Sequence, residues 1–156
     1  MKRALFFALP LLFAPAVALA GSSEGSTALA LSALVGERAP HVGFLDKHLL
    51  AAYLDGHATA PHIKGKKIMV KADAIDCRSS NVDITEHSCA LTFGAKKIEL
   101  HGRKAHELYA TLVEAGVASD GAAGSIHEAV TNLDCVVDAD QVRDKAGAGA
   151  KCTFSP

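Results

Sequence analysis

Four cysteines limit the fold of this 156-residue chain more than any other feature. Cys77 and Cys89 frame one polar loop, and Cys135 and Cys152 frame another. No C-x-x-C spacing occurs, which argues against a thioredoxin-type redox pair or a zinc ribbon. An even cysteine count in an exported chain reads as disulfides, and spacing alone does not select among the pairings. A short internal echo favours one of them. Ile75-Asp76-Cys77 is answered by Leu133-Asp134-Cys135, and Cys89-Ala90-Leu91-Thr92-Phe93 by Cys152-Thr153-Phe154. The echo joins Cys77 to Cys89 and Cys135 to Cys152, each bond tying neighbouring strands across a loop. Loops of this length are worth about 3 kcal/mol each by chain entropy.

Residues 1–20 supply the export context. Lys2 and Arg3 give a positive start, Leu5 to Leu19 an apolar run, and Ala18-Leu19-Ala20 a small-x-small cleavage site. That is the pattern of a secretory signal peptide. Pro10 and Pro15 interrupt the run, which is short for a membrane span. The mature chain is expected to begin at Gly21 and to be periplasmic or secreted. Losing Lys2 and Arg3 leaves 14 basic against 17 acidic residues, a formal charge of −3. Such a balance gives no global pull towards nucleic acid. No later run is long enough to cross a membrane.

The clearest periodicity lies in residues 66–116. Cys89, Leu91 and Phe93 alternate with polar or small residues, as do Ile98 and Leu100, with Gly94-Ala95 as the turn between them. This predicts a hairpin with one wet face. A helix follows from Arg103, with Ala105, Leu108, Tyr109, Leu112 and Ala115 on one stripe and Gly116 at its end. In the strand from Lys66 to Cys77, Ile68, Val70 and Ala72 share one parity and Ile75 and Cys77 the other. That slip predicts a bulge near Ala74-Ile75. Ile126 to Val137 reads as a long strand with Ala129, Thr131, Leu133, Cys135 and Val137 on one face. Two helices are expected upstream, over Thr27–Val35 and Val42–Asp55, the second with a stripe of Leu45, Leu49, Ala52 and Tyr53.

The expected architecture is α+β: a mainly antiparallel sheet of about five strands, one packed helix, a helical N-terminal lead and two disulfides. Residues 21–65 form the helical segment and 66–156 the disulfide-stapled core.

Catalytic and metal signatures are missing from the sequence. The eight histidines include no helical i, i+4 pair and no H-E-x-x-H, so they read as scattered surface or core-edge residues. A loose grouping of His57, His62 and His87 is the best metal alternative. Gly124-Ser125-Ile126-His127 does not match G-x-S-x-G. The acidic residues Asp134, Asp138, Asp140 and Asp144 do not form a calcium loop. No cofactor and no metal ligand set is predicted.

One charge arrangement runs against expectation. Arg103 and Lys104 sit at the positive end of their helix and Glu114 at its negative end, both opposing the dipole. With Lys96 and Lys97 upstream, these residues are the predicted contact patch for an acidic protein or an anionic ligand. The competing reading pairs Arg103 with Glu107 one turn on. The function expected is therefore an exported binding or inhibitory protein. The alternatives are a periplasmic metal- or anion-binding protein and a small hydrolase without a recognisable motif.

Overall fold

The computed structural model describes residues 20–56, 65–80, 83–117, 125–144 and 147–155. Residues 1–19 of the expected signal peptide, the loop bearing His57 and His62, Val82 and the glycine connector 119–124 lie outside them.

The strands are β1 (Gly21–Glu24), β2 (Lys67–Ser80), β3 (Ser88–Phe93), β4 (Lys96–His101), β5 (Ser125–Asp138) and β6 (Ala150–Ser155). The helices are α1 (Ser26–Gly36), α2 (Phe44–Leu54), α3 (Arg103–Glu114) and α4 (Ala139–Asp144), with a single 3-10 turn at Ile84–Glu86. All strands join one antiparallel six-stranded sheet in the order β1-β6-β5-β2-β3-β4. The α+β class with a largely antiparallel sheet is as expected, and the count of about five strands, one packed helix and a helical lead is roughly met: the described residues form six strands and four helices. The added strand is the polar lead-in, whose Gly21 pairs with Phe154 and Glu24 with Lys151. Edge pairing needs backbone groups rather than apolar side chains, and only Ser23 of β1 is buried.

The N-terminal helix α1 is central to the core. It buries Leu29, Leu31, Ala33 and Val35, and packs against the sheet, α2 and α3. A helix that is apolar on nearly every side belongs inside. The stripe of α2 differs from the expected one. Leu49, Leu50 and Tyr53 are buried, whereas Leu45 is 76 % exposed. Leu50 is drawn inward by a close approach at Gly36, where an added methyl would meet Leu50 Cδ1 at 3.1 Å and Val70 Cγ2 at 3.2 Å. The bare glycine lets α2 and β2 close on the end of α1.

Both long strands change face midway. In β2, Ile68, Val70 and Ala72 are buried, then Ile75, Cys77 and Ser79. The slip falls where the parity predicts it. In β5, Leu133, Cys135 and Val137 are buried, then Val130 and Glu128. The expected single face through Thr131 and Ala129 is thus incorrect. Asn132, in the left-handed region at φ 51, adds the residue that turns the strand over. Asp73 and Asn132 face each other across the ladder and drop out of its pairing, so the two slips match and the register is kept. Asp73 uses its freedom to accept the Gly94 N–H at the β3–β4 turn.

The disulfides are Cys77–Cys89 and Cys135–Cys152, the pairing favoured by the echo. Each joins directly opposite residues, of β2 and β3 and of β5 and β6. The adjacent central strands are therefore each stapled to their outer neighbour.

The helices α1 and α3 cover one face of the sheet. The other face carries exposed pairs, among them Lys71–Asp134 at 2.8 Å, His127–Asp76 at 2.9 Å and Lys151–Glu24 at 2.8 Å. Amphipathic α3 lays Ala105, Leu108 and Leu112 on the covered face. It ends as its sequence predicts: Gly116 is at φ 84, and the Val117 N–H reaches back to the Leu112 carbonyl.

Candidate functional site

Most of the core is aliphatic. Of the six buried polar or charged residues among the described ones, Ser79, His87 and Glu128 lie towards the same end of the sheet. Three local features bring that end together. β2 continues past Cys77 to Ser79 and Ser80, the 3-10 turn returns the chain to His87, and the Gly102 N–H donates to the His87 carbonyl at 2.9 Å. That last bond seats the first turn of α3 beside His87, so His106 and Tyr109, one turn apart on α3, face it. Their side chains, with Ser79, Ser80, Asp83 and His87, line a cleft of about 340 Å³.

His87 is the hub and is 5 % exposed. Its Nε2 lies 3.0 Å from the Ser80 carbonyl oxygen. A carbonyl can only accept, so Nε2 carries a hydrogen, and in the tautomer with that hydrogen alone Nδ1 presents a lone pair. Nδ1 lies 3.2 Å from His106 Nδ1. The two rings meet edge to face at 4.7 Å between centroids, and Tyr109 makes a second edge contact with His87 at 6.0 Å.

Ser79 Oγ lies 3.1 Å from both ring nitrogens of His87. The two nitrogen directions diverge in the ring plane, so an atom equidistant from both lies over the ring face. The hydroxyl is aligned with neither position, unlike a serine poised to give its proton to a general base.

The electrostatics are local. Burial first, and the Glu128 charge second, raise the Tyr109 phenol above its ordinary range and hold it neutral. At the cleft rim, Asp83 is lowered mainly by hydrogen bonds from the Thr85 hydroxyl and N–H, with a smaller contribution from His87.

The predicted contact residues are divided. Arg103 and Lys104 are exposed on the turn of α3 that carries His106. Arg103 Nε pairs with Glu107 at 3.2 Å, as the competing reading of this residue anticipated. Lys96 and Lys97 start β4, and Lys97 pairs with Glu99 at 3.4 Å. A strand rises about 3.3 Å per residue, which puts Lys96 about 17 Å from His101 at the cleft end. Two of the four predicted contact residues thus share the first turn of α3 with His106, and the other two stand at the far end of β4.

The sequence reading missed His87 and His106 as a pair, because they are remote in sequence and meet only through the hairpin. It also missed Glu128. That residue has the parity of Ile126 and Val130, an acid within an apolar row, but the uninterrupted strand reading turned the row outwards. Among the described residues, no group of three or more His, Cys, Asp or Glu converges on a metal position. No helix among them is long and apolar enough to cross a membrane. The two disulfides are compatible with an oxidising compartment. Comparison with protein-family models, with curated proteins and with solved structures finds no match to this chain.

Proposed function

We propose that the protein is an exported binding protein that takes an acidic partner protein or an anionic ligand at the cleft end of its sheet. The observation carrying this reading is the cleft itself. Polar groups are gathered there at the edge of an otherwise aliphatic core. Burying them lowers stability unless each finds a partner, and departures from apolar packing of this kind concentrate at functional sites. The cleft also stands on a fixed base: Cys77, two residues before Ser79, is bonded to Cys89, two residues after His87. A rigid site loses less entropy on binding.

Arg103 and Lys104 supply positive charge on the first turn of α3, the turn that carries His106, and Lys96 and Lys97 provide a separate basic contact at the other end of β4. The signal-like N-terminus and the disulfides support export. The placement of Ser79 over the imidazole face favours recognition over hydrolysis at this cleft.

The test is affinity capture from the exported fraction with wild type and with Arg103→Glu/Lys104→Glu as bait. Wild-type capture should weaken as salt rises, because exposed charges are screened over about 10 Å at 0.1 M. The double variant should lose most of the captured partner while keeping its fold, since removing positive charge from a helix start gains about 0.3–1 kcal/mol per residue and so offsets the loss of the Arg103–Glu107 pair. Equal capture by the two baits would overturn the proposal.

A further inference from the structure

We propose that the cleft binds a divalent transition-metal ion of the zinc, nickel or copper(II) type, held by Nδ1 of His87 and Nδ1 of His106. This names a ligand for the same cleft, and so rests on reading it as a binding site.

The hydrogen on His87 decides which of its nitrogens can take a metal. Its Nε2–H is committed to the Ser80 carbonyl at 3.0 Å. A histidine that ligates a metal through one nitrogen commonly donates from the other to a carbonyl or carboxylate, which fixes the tautomer and aims the lone pair. The free lone pair of His87 is on Nδ1, and the nearest side-chain nitrogen across the cleft is His106 Nδ1 at 3.2 Å. Two nitrogen ligands about 2.0–2.1 Å from a tetrahedral ion stand about 3.3 Å apart. The observed separation therefore suits two corners of one coordination sphere. The rings are inclined at 70°, which keeps them from stacking face to face.

The surroundings suit a cation with open positions. The cleft volume of about 340 Å³ leaves space for water beside the two imidazoles, and Asp83 on its wall supplies negative charge. With two protein ligands the remaining positions are filled by water or by a donor from the partner. A carboxylate arriving beside Arg103 and Lys104 would complete the sphere, which joins the metal to the anionic preference proposed above. Imidazole donors favour zinc, copper and nickel over calcium and magnesium, which select oxygen ligands. In the competing arrangement the same two nitrogens share a hydrogen, with His106 as donor, and no ion is involved.

The experiment is a calorimetric titration of purified, chelator-treated protein with zinc and with copper(II), and with calcium and magnesium as controls. Cobalt(II) is added in parallel as a visible-absorption probe. The expected result is one zinc or copper(II) ion per chain, no uptake of calcium or magnesium, and cobalt d–d bands. His106→Gln should weaken binding by at least about tenfold, the scale of losses seen when the support of a metal ligand is removed. His106 is half-buried, so its substitution leaves the core in place, whereas His87 is buried. The surface variants His101→Gln and His127→Gln should bind as wild type does. A silent titration overturns the metal site, as does equal affinity in His106→Gln. Partner capture that persists in chelator beside a silent titration would leave the binding reading standing and remove only the metal.

Discussion

Replacing Cys135 and Cys152 together by alanine is expected to lower the unfolding free energy by about 2–5 kcal/mol. The bond closes a loop with a sequence separation of 17, and both sulfurs are wholly buried. Without it the unfolded chain gains the freedom that the cross-link had withheld. The core has little with which to compensate. Aromatic residues make up 5 % of the sequence, and much of the buried surface is alanine, valine and leucine. The Cys77–Cys89 bond closes the shorter loop, with a separation of 12. Its loss should cost less by about a few tenths of a kcal/mol. Each bond ties its own pair of strands, so removing one should leave the other correctly formed. Urea unfolding without reductant measures the first effect and non-reducing peptide mapping the second. A loss below about 1 kcal/mol would mean that strand pairing alone holds this edge of the sheet.

Leu108→Ala is the second large effect, at about 2–5 kcal/mol. Leu108 is fully buried where α3 meets the sheet. Truncation removes its transfer free energy and leaves a cavity between elements that close only in part. The same helix carries His106 and Tyr109, so its loosening also moves one wall of the cleft. Hydrogen exchange should show lost protection concentrated in α3, with the β2–β5 ladder least affected. A cost under about 1 kcal/mol, with α3 protection intact, would show that Leu112 and Ala105 anchor the helix unaided.

Much of this frame was legible from residue order. The β3–β4 hairpin, the extent and end of α3 and the face change in β2 follow from local periodicity. The disulfide pairing came from a short echo that corresponds to two strand pairs flanking the centre of the sheet. What was not legible depended on distant partners. β1 shows no apolar alternation because β6 recruits it through the backbone. Leu50 rather than Leu45 turns inward because Gly36 leaves space on another helix. Glu128 is buried because Asn132 turns β5 over in step with β2. The cleft was least legible of all. His87 and His106 are 19 residues apart and meet only once the hairpin folds back and Gly102 bonds to the His87 carbonyl. The basic patch, read as one cluster along the sequence, is spread along a strand whose length separates its halves.

Recognition at the cleft end of the sheet can be read out by site-specific photo-cross-linking. A photo-reactive phenylalanine derivative placed at Tyr109 keeps an aromatic ring at the cleft, and the same group at Met69, 49 % exposed on the uncovered sheet face, serves as the comparison. Exposed to the exported fraction and illuminated, the protein labelled at 109 should form a discrete adduct that high salt and the Arg103→Glu/Lys104→Glu change abolish. The protein labelled at 69 should form none. An adduct from position 69 alone would contradict the account and move recognition to the open face.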